Sequence, residues 1–340
     1  MKAPTEGLKH AARMAVWQKV LIAVVSTVVG LAVVGAGTFG YLWLSGREKM
    51  RSQAPTNVDV DEDGSTVVYN GEKYVYNDKL TSILFIGTDR AKDAQESRVP
   101  GGNGQADALY LAVIDTETGK VSVLGIGRDI MTDVRVYSVA GQYIGTEKMQ
   151  VCLAFAYGDG KEKSCENTVQ AVSNLLYGID IGTYFCLDWA NISTLNDMVG
   201  GVEVPEYDEN WQKTGRTVTL SGRDVEDYIH KRDKDVLDSS VNRMGRQIDY
   251  LNALVAKMTE RARGDITAPL QLYNELNRVS INTLDASKIT YLTTLFLNGG
   301  AKIEFSQITG ELVQGEEFAE MYLDDATTYE TLLKLFYKKK

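Results

Sequence analysis

An apolar stretch near the N-terminus is the feature that most constrains this 340-residue chain. Residues 20–46 lie between Lys19 and Arg47 and carry no charged side chain. About 20 apolar residues span the hydrocarbon core of a bilayer, so the stretch is long enough to cross a membrane with some tilt. A cleaved signal peptide has a shorter apolar core of roughly 7–15 residues. The sequence therefore predicts an uncleaved transmembrane anchor at residues 20–46.

The basic residues beside this stretch indicate its orientation. Those before it are Lys2, Lys9, Arg13 and Lys19, and those after it are Arg47, Lys49 and Arg51. Because cytoplasmic flanks of a membrane span carry the excess of Lys and Arg, the small difference favours a cytoplasmic N-terminus. We therefore expect a cytoplasmic tail at residues 1–19 and a main domain outside the cell, held at the cell membrane by a single span.

The net charge excludes one class of partner. The formal charge of the chain is −10 at pH 7, although residues 1–51 are net positive, so the main domain is strongly acidic. An acidic domain is a poor binder of nucleic acid, which is therefore not an expected partner.

Cysteine and histidine usage limits the chemistry further. Cys152, Cys165 and Cys186 form no Cys-x-x-Cys pair, which argues against zinc. In an oxidising environment the sequence leaves open whether Cys152 and Cys165 form a disulfide. His230 is the only histidine of the main domain, so any histidine chemistry there must use it. The composition favours sites built from carboxylates and arginines.

Charged residues stand at the ends of three predicted strands. An apolar run at residues 82–87 precedes Asp89. A second run follows Asp107, and a third, at residues 121–127, precedes Arg128. If the three strands run up, down and up in one sheet, these two carboxylates and one guanidinium emerge at the same edge. Each acid alone would also be explained as a strand-end residue that caps a turn.

The densest group of cationic donors lies between Tyr228 and Gln247. It contains His230, Lys231, Arg232, Lys234, Arg243 and Arg246. Apolar residues recur at helical spacing from Met244 onward, so Arg243 and Arg246 occupy the first turns of a helix, away from its apolar seam. Helix N-termini and planar guanidinium groups both favour phosphate. The alternative is a solvated, salt-bridged helix start, because three aspartates lie among the cations.

The flanking regions carry less information. Residues 47–79 are predicted to form a stalk and a short hairpin, because the pair Asn70-Gly71 favours a turn with positive φ at both positions. Residues 80–262 form the predicted catalytic domain. Residues 263–340 show helical and extended patterns but no recognisable chemistry, and are assigned to a C-terminal accessory region.

Several motifs occur in a characteristic order. They are Asp89 after a strand, Asp107 opening the next, Gly127-Arg128-Asp129, Lys148 with the Ala-Phe-Ala-Tyr-Gly that follows it, Gly200-Gly201-Val202-Glu203-Val204, Arg232, and Arg243-x-x-Arg246-Gln247. No single motif is specific, but the ordered set resembles the LytR-CpsA-Psr family of cell-wall enzymes over roughly residues 80–260.

The resemblance implies a fold, an activity and a site. The fold would be α/β (α+β type), with a central, mixed and mostly antiparallel sheet flanked by helices. The activity would be a phosphotransferase that moves a glycopolymer, such as teichoic acid or capsule, from a polyprenyl-pyrophosphate carrier to peptidoglycan. In such proteins the carboxylates that match Asp89 and Asp107 hold Mg²⁺. The pyrophosphate would be surrounded by Arg128, Arg232, Arg243, Arg246, Lys148 and Gln247.

This sequence departs from the family pattern where two arginines are common. Gln105-Ala106-Asp107 stands in place of Arg-Ser-Asp, and His230-Lys231-Arg232 stands in place of an Arg-x-Arg pair. His230 would contribute fully to substrate binding only when protonated, with an unperturbed pKa near ~6.5. The weaker fixed charge leaves two alternatives open: a hydrolase that passes the lipid pyrophosphate to water, and a non-catalytic sensor of lipid-linked polymer.

Overall fold

The structure, a computed structural model, describes residues 16–61, 66–90, 97, 99, 101–231, 239–299, 303–316 and 318–340, and of residues 16–25, 29, 239–242, 298 and 299 only the backbone. Within these ranges the helices are α1 Val16–Lys49, α2 Leu153–Ala156, α3 Glu162–Leu175, α4 Ile192–Met198, α5 Asp224–His230, α6 Ser239–Gly264, α7 Ala268–Leu276, α8 Ala286–Gly299 and α9 Asp325–Phe336. The strands are β1 Thr66–Tyr69, β2 Glu72–Tyr76, β3 Leu80–Thr88, β4 Ala106–Asp115, β5 Val121–Ile126, β6 Met131–Tyr137, β7 Tyr143–Gln150, β8 Tyr184–Asp188, β9 Val202–Tyr207, β10 Lys213–Leu220, β11 Ser280–Asn282, β12 Ile303–Gln307, β13 Gly310–Gln314, β14 Ala319–Leu323 and β15 Tyr337–Lys339.

A six-stranded sheet with the order β11-β8-β3-β4-β5-β12 forms the centre of the fold. β3, β4 and β5 are antiparallel neighbours, and β11 is antiparallel to β8. β8 is parallel to β3, and β12 is parallel to β5. This mixed, mostly antiparallel sheet between helices confirms the predicted fold class.

Strand β4 shows why the sheet is covered on both faces. Leu109, Leu111 and Val113 belong to one buried cluster, with residues of α3 and α9, whereas the alternate residues Tyr110 and Ile114 belong to a second. Successive side chains of a strand point to opposite faces, so an unbroken apolar run can be satisfied only between two layers.

The second cluster connects the sheet to three helices. Met244 of α6, Tyr291 of α8 and Met50, which directly follows α1, are all buried in it against the sheet. A third buried cluster joins α4, α5 and β9 to the opposite side of α6, at Tyr250. Helix α6 therefore packs in two apolar clusters, and the residues of its first turns reach the sheet's edge.

Helix α1 extends beyond the predicted anchor. Its segment Ser26–Lys49 is long and apolar enough to cross a membrane, which agrees with the predicted span. The last turns of the helix pack along α8. Trp43 Nε1 donates a hydrogen bond to Thr294 Oγ1 at 3.0 Å, and the two rings of Trp43 and Tyr291 meet edge to face at 5.8 Å. The cytoplasmic location of the N-terminus stays a prediction.

Helices α1 and α8 approach each other closely at a glycine. A Cβ added to Gly46 would lie 2.1 Å from the carbonyl oxygen of Ser287, so the two helices meet backbone to backbone there. Near the end of α1, Lys49 Nζ forms an ion pair with Asp285 Oδ2 at 2.6 Å. The anchor helix is thus docked directly on the domain, and the first residues of the predicted stalk belong to this docked helix.

The flanking segments join the same fold. The predicted hairpin is confirmed: β1 and β2 are antiparallel, and Asn70 and Gly71 have φ values of 51° and 78°. From the C-terminal region, β12 extends the central sheet and β15 pairs with β2. The predicted boundary at residue 262 lies just before the end of α6, and residues of α8 and α9 are buried in the same clusters as the central sheet. The division into a catalytic domain and an accessory region stays a prediction.

The three cysteines are free and buried. Cys165 and Cys186 lie in the same apolar cluster, whereas Cys152 Sγ lies 3.9 Å from Gln105 Oε1. The disulfide that the sequence left open between Cys152 and Cys165 is not formed.

Candidate functional site

Three predicted side chains share one edge of the central sheet. Asp89 follows the last residue of β3, Asp107 is the second residue of β4, and Arg128 lies two residues beyond β5. Because these strands are antiparallel neighbours, the end of β3, the start of β4 and the end of β5 meet at the same edge, as the strand pattern predicts.

Arg128 is fixed by three partners at this edge. Its Nη1 donates to Asp107 Oδ1, and its Nη2 donates to Gln105 Oε1 at 2.5 Å. Its Nε lies 3.3 Å from Asp129 Oδ1. Burial acts to lower the pKa of Arg128, but Cys152 and the two carboxylates raise it, and the net shift is upward. The guanidinium is therefore held rigidly and permanently charged.

Arg243 approaches the same carboxylate from α6. Its Nη1 lies 3.7 Å from Asp107 Oδ2, and its Nη2 donates to the backbone oxygen of Asp107 at 3.4 Å. Arg243 is only 3% exposed. Asp107 thus lies between two guanidinium groups from different elements, an arrangement that suits exchange of the carboxylate for a phosphate group.

A small cavity opens between these side chains. Its lining residues are Asp107, Gly127, Arg128, Asp129, Arg243, Met244, Gln247, Gln307 and Met321. Four of them were predicted from the sequence as site residues. The others come from the turn after β5, from α6 next to Arg243, and from β12 and β14, which lie far along the chain and carry no recognisable motif.

His230 ends α5 and is partly buried beside the aromatic ring of Trp189, at 4.8 Å between ring centroids. Burial, and then the charge of Arg243, lower the pKa of His230 below 6.5, although Asp107 and Asp89 act in the opposite direction. His230 is therefore mostly neutral at pH 7, and it does not replace the charge of the arginine that is common at this position in the family.

Gln247 lines the cavity with its amide held on both sides. Its Oε1 accepts a hydrogen bond from the Tyr110 hydroxyl at 2.7 Å, and its Nε2 donates to the carbonyl oxygen of Ile229 at 3.1 Å. Gln247 therefore ties the sheet to the end of α5.

Arg246 is buried, with 1% of its surface exposed. Its Nε donates to the carbonyl oxygen of Tyr228 at 2.8 Å, and its Nη2 donates to that of Lys231. Its guanidinium lies under the indole ring of Trp211, 4.0 Å from the ring centroid. Burial lowers the pKa of Arg246. In this structure the side chain holds the end of α5 and does not line the cavity, so its role as a pyrophosphate ligand stays a prediction.

Lys148 stands apart from this cluster. Lys148 is exposed on β7, where it pairs in register with Asp133 of β6, and it is not among the described residues that line the cavity. Arg232 lies outside the described residues.

The predicted magnesium ligands Asp89 and Asp107 already have partners in the protein. Asp89 Oδ1 accepts a hydrogen bond from the backbone N–H of Gln105 at 2.6 Å, and Asp107 is held by two arginines. No group of three or more His, Cys, Asp or Glu suited to a metal ion occurs in the described part of the chain. Two carboxylates at one edge nevertheless fit Mg²⁺, which often takes one or two carboxylates and completes its shell with phosphate oxygens and water.

Sequence reasoning missed several residues of this region. Tyr110 and Trp211 have no charge and belong to no family motif, so no local signal marked them. Asp129 belongs to the Gly127-Arg128-Asp129 motif, and its position directly after Arg128 was a usable signal for their ion pair.

A mixed sheet, a docked helix able to cross a membrane, and a carboxylate held between two arginines define a membrane-anchored domain with a candidate anion site. The chain matches the model of the LytR_cpsA_psr family over residues 43–336, and it belongs to this family. This finding confirms the resemblance seen in the sequence and extends it into α1 and α9.

Known proteins similar to this chain agree with that assignment. The polyisoprenyl-teichoic acid–peptidoglycan teichoic acid transferase TagU of Bacillus subtilis (strain 168) is 23% identical over 247 residues, 71% of each chain. The crystal structure of B. subtilis TagV has a TM-score of 0.57 at 23% identity, and the match covers 76% of this chain and 96% of TagV. The family protein YwtF (TagT) with bound octaprenyl pyrophosphate lipid has a TM-score of 0.53 at 18% identity, over 76% of this chain and 89% of that one. The TagV and TagT structures therefore share the fold of this chain.

Proposed function

We propose that this protein is a membrane-anchored transferase that moves a glycopolymer from a polyprenyl-pyrophosphate carrier to peptidoglycan. Family membership supports this, as do TagU, named for a teichoic acid transfer of this kind, and TagT, which binds octaprenyl pyrophosphate. The observation that carries the proposal is the pair of fixed guanidinium groups, Arg128 and Arg243, on either side of Asp107 at the cavity.

The proposed reaction is a displacement at phosphorus. A sugar hydroxyl of peptidoglycan attacks the phosphorus that carries the glycopolymer, and a new P–O bond forms. The bond from that phosphorus to the bridging oxygen breaks, and polyprenyl monophosphate leaves with the electron pair. The hydroxyl proton passes to a base. Catalysis of this kind depends mostly on positioning and on stabilising charge, and Arg128 and Arg243 are placed to do both for the transferred phosphoryl group.

The proposal includes Mg²⁺ at Asp89 and Asp107. When bound there, the ion would offset negative charge on the phosphate oxygens. Asp89 and Asp107 would hold the ion, and Arg128 and Arg243 would bind phosphate oxygens. The Gln105 backbone N–H would hold Asp89 in place through the hydrogen bond already present.

The test uses the full chain in detergent, because α1 is docked on the domain. The purified protein would receive a polyprenyl-pyrophosphoryl oligosaccharide and a peptidoglycan oligomer, with and without Mg²⁺. We expect metal-dependent release of polyprenyl monophosphate and attachment of sugar, both lost in Asp107→Asn. A matched control is Asp285→Asn, at the α1–α8 contact and away from the cavity. Attachment that survives Asp107→Asn or chelation of the metal would contradict this site assignment.

The described residues of the site supply few fixed positive charges, which favours a second candidate function, a non-catalytic sensor of lipid-linked polymer. The pKa of His230 is lowered by burial, and Arg246 is committed to backbone carbonyls. Among the described residues that line the cavity, the fixed charges are then Arg128 and Arg243 against two aspartates. Lipid binding without turnover by the wild type, retained in Asp107→Asn, would favour the sensor, and monophosphate release without sugar attachment would favour a hydrolase.

A further inference from the structure

The turn between β9 and β10 places an aromatic residue where glycine is expected. The N–H of Trp211 donates a hydrogen bond to the carbonyl oxygen of Asp208 at 3.1 Å. The N–H of Asp208 donates to the carbonyl oxygen of Gln212 at 2.9 Å. Trp211 has a φ of 60°, in the left-handed region. A side chain with a Cβ is disfavoured there, and hairpin turns of this kind usually place Gly or Asn at such a position. The strained backbone therefore indicates that the indole side chain has a role at this position.

The indole is held in a fixed plane. One of its faces lies on the guanidinium of Arg246, at 4.0 Å from the ring centroid. Arg246 is itself immobilised by the carbonyl oxygens of Tyr228 and Lys231. The indole is nevertheless partly exposed, unlike the buried arginine beneath it. A rigid, partly exposed aromatic ring is available to a ligand without further ordering of the protein.

The indole stands next to the candidate site. Arg246 lies one helical turn from Arg243 on α6, and its neighbour Gln247 lines the cavity. A second partly exposed indole, that of Trp189, lies 4.8 Å from the His230 ring between centroids. His230 follows Ile229, whose carbonyl oxygen accepts a hydrogen bond from the cavity residue Gln247. Aromatic surface therefore borders the charged cluster on the side of α5 and the β9–β10 turn.

We propose that Trp211 is a stacking platform for a pyranose ring of the glycan that reacts at this site. The face of an indole carries partial negative charge, and it attracts the partly positive C–H groups that line one face of a sugar ring. Arg246 underneath holds the indole in place. Stacking on the indole requires no charged group on the sugar. The inference rests on the proposed function, which brings two sugars to the site: the first sugar of the donor polymer and the acceptor sugar of peptidoglycan.

The test measures sugar binding directly, without transfer. The chain has four tryptophans, so the full-length protein labelled with ¹⁵N-Trp in detergent should give one indole N–H resonance for each. Two soluble probes would be titrated separately: a GlcNAc–MurNAc tetrasaccharide as the acceptor glycan, and the donor oligosaccharide without lipid or pyrophosphate. We expect one of them to shift the Trp211 resonance, assigned by its loss in Trp211→Phe. The Trp43 resonance, whose N–H is bonded to Thr294, serves as the internal control.

Two variants separate stacking from folding. Trp211→Gly removes the ring and suits the left-handed turn, whereas Trp211→Phe keeps an aromatic face. We expect affinity for the probe to fall by about tenfold in Trp211→Gly and by less in Trp211→Phe. If neither probe shifts the Trp211 resonance, or if Trp211→Gly binds as tightly as the wild type, the platform is refuted. Transfer activity that persists in that case would leave the proposed function intact, whereas sugar binding without any transfer would refute the function alone.

Discussion

Replacing Gly46 by alanine should loosen the docking of the anchor helix. A Cβ built on Gly46 lies 2.1 Å from the carbonyl oxygen of Ser287 and 2.9 Å from Cβ of Tyr291. Both atoms are fixed parts of α8, so neither can turn away as the tip of a long side chain would. Close-packed interiors absorb such contacts only by moving whole elements, and α1 must therefore separate from α8.

The expected change in the docking free energy of α1 follows from two opposing effects. Overpacking a buried contact costs about 1–3 kcal/mol, whereas replacing glycine by alanine within a helix gains about 1 kcal/mol. The expected net loss of docking free energy is therefore up to about 2 kcal/mol. Gly40 provides a matched control in the same helix, because a Cβ added there meets nothing within 4 Å.

Hydrogen exchange of α8 in the full chain, purified in detergent, measures this change. A loss of 1–2 kcal/mol corresponds to a roughly 5–30-fold shift toward the open state, and hence to faster exchange of α8 amides. Exchange in Gly40→Ala should match the wild type. If Gly46→Ala also matched the wild type, the backbone contact between the two helices would not exist as described.

Three further predictions concern the charged or titratable side chains of His230, Asp285 and Arg246. Because burial and a neighbouring arginine lower the pKa of His230, the ratio of wild-type to His230→Gln affinity for inorganic pyrophosphate, measured calorimetrically, should rise as the pH falls from 7 to about 5. Burial raises the pKa of Asp285, but hydrogen bonds, with Lys49 foremost, lower it to about 2. Its contribution to stability is therefore present above pH 3.8 and lost toward pH 2, so the thermal midpoint should fall over that range more steeply than in Asp285→Asn. Arg246→Ala leaves two backbone carbonyls without their donor and should lower the free energy of unfolding in denaturant by about 3 kcal/mol, and a loss near zero would contradict its bracing role.

The shared edge of Asp89, Asp107 and Arg128 was predictable because it depends on local patterns. Apolar runs of strand length, separated by turns, fix the direction of each strand, and direction alone decides which ends meet. The register that places Arg128 against Asp107 was not needed for that inference. A site at strand ends is therefore visible in sequence, whereas its hydrogen-bond partners, such as Gln105, are not.

The two arginines of α6 show the limit of the same reasoning. Helical spacing correctly places Arg243 and Arg246 away from the apolar seam at Met244. Their separate roles depend on which elements pack above them: β4 brings Asp107 to Arg243, and α5 with the β9–β10 turn brings carbonyls and Trp211 to Arg246. These contacts join distant parts of the chain, and periodicity carries no information about them.

The docking of α1 sets where the proposed chemistry occurs. Met50 and Ser52, just beyond α1, are hydrogen-bonded to Thr81 and Leu80 at the start of β3, whereas Asp89 follows its other end. A strand rises roughly 3.3 Å per residue, so the length of β3 puts the candidate site roughly 30 Å from the point where the anchor helix joins the sheet. Because α1 is docked and not tethered by a loose stalk, this separation is fixed. A polyprenyl diphosphate bound at the candidate site would therefore lie about that distance from the point where α1 joins the sheet.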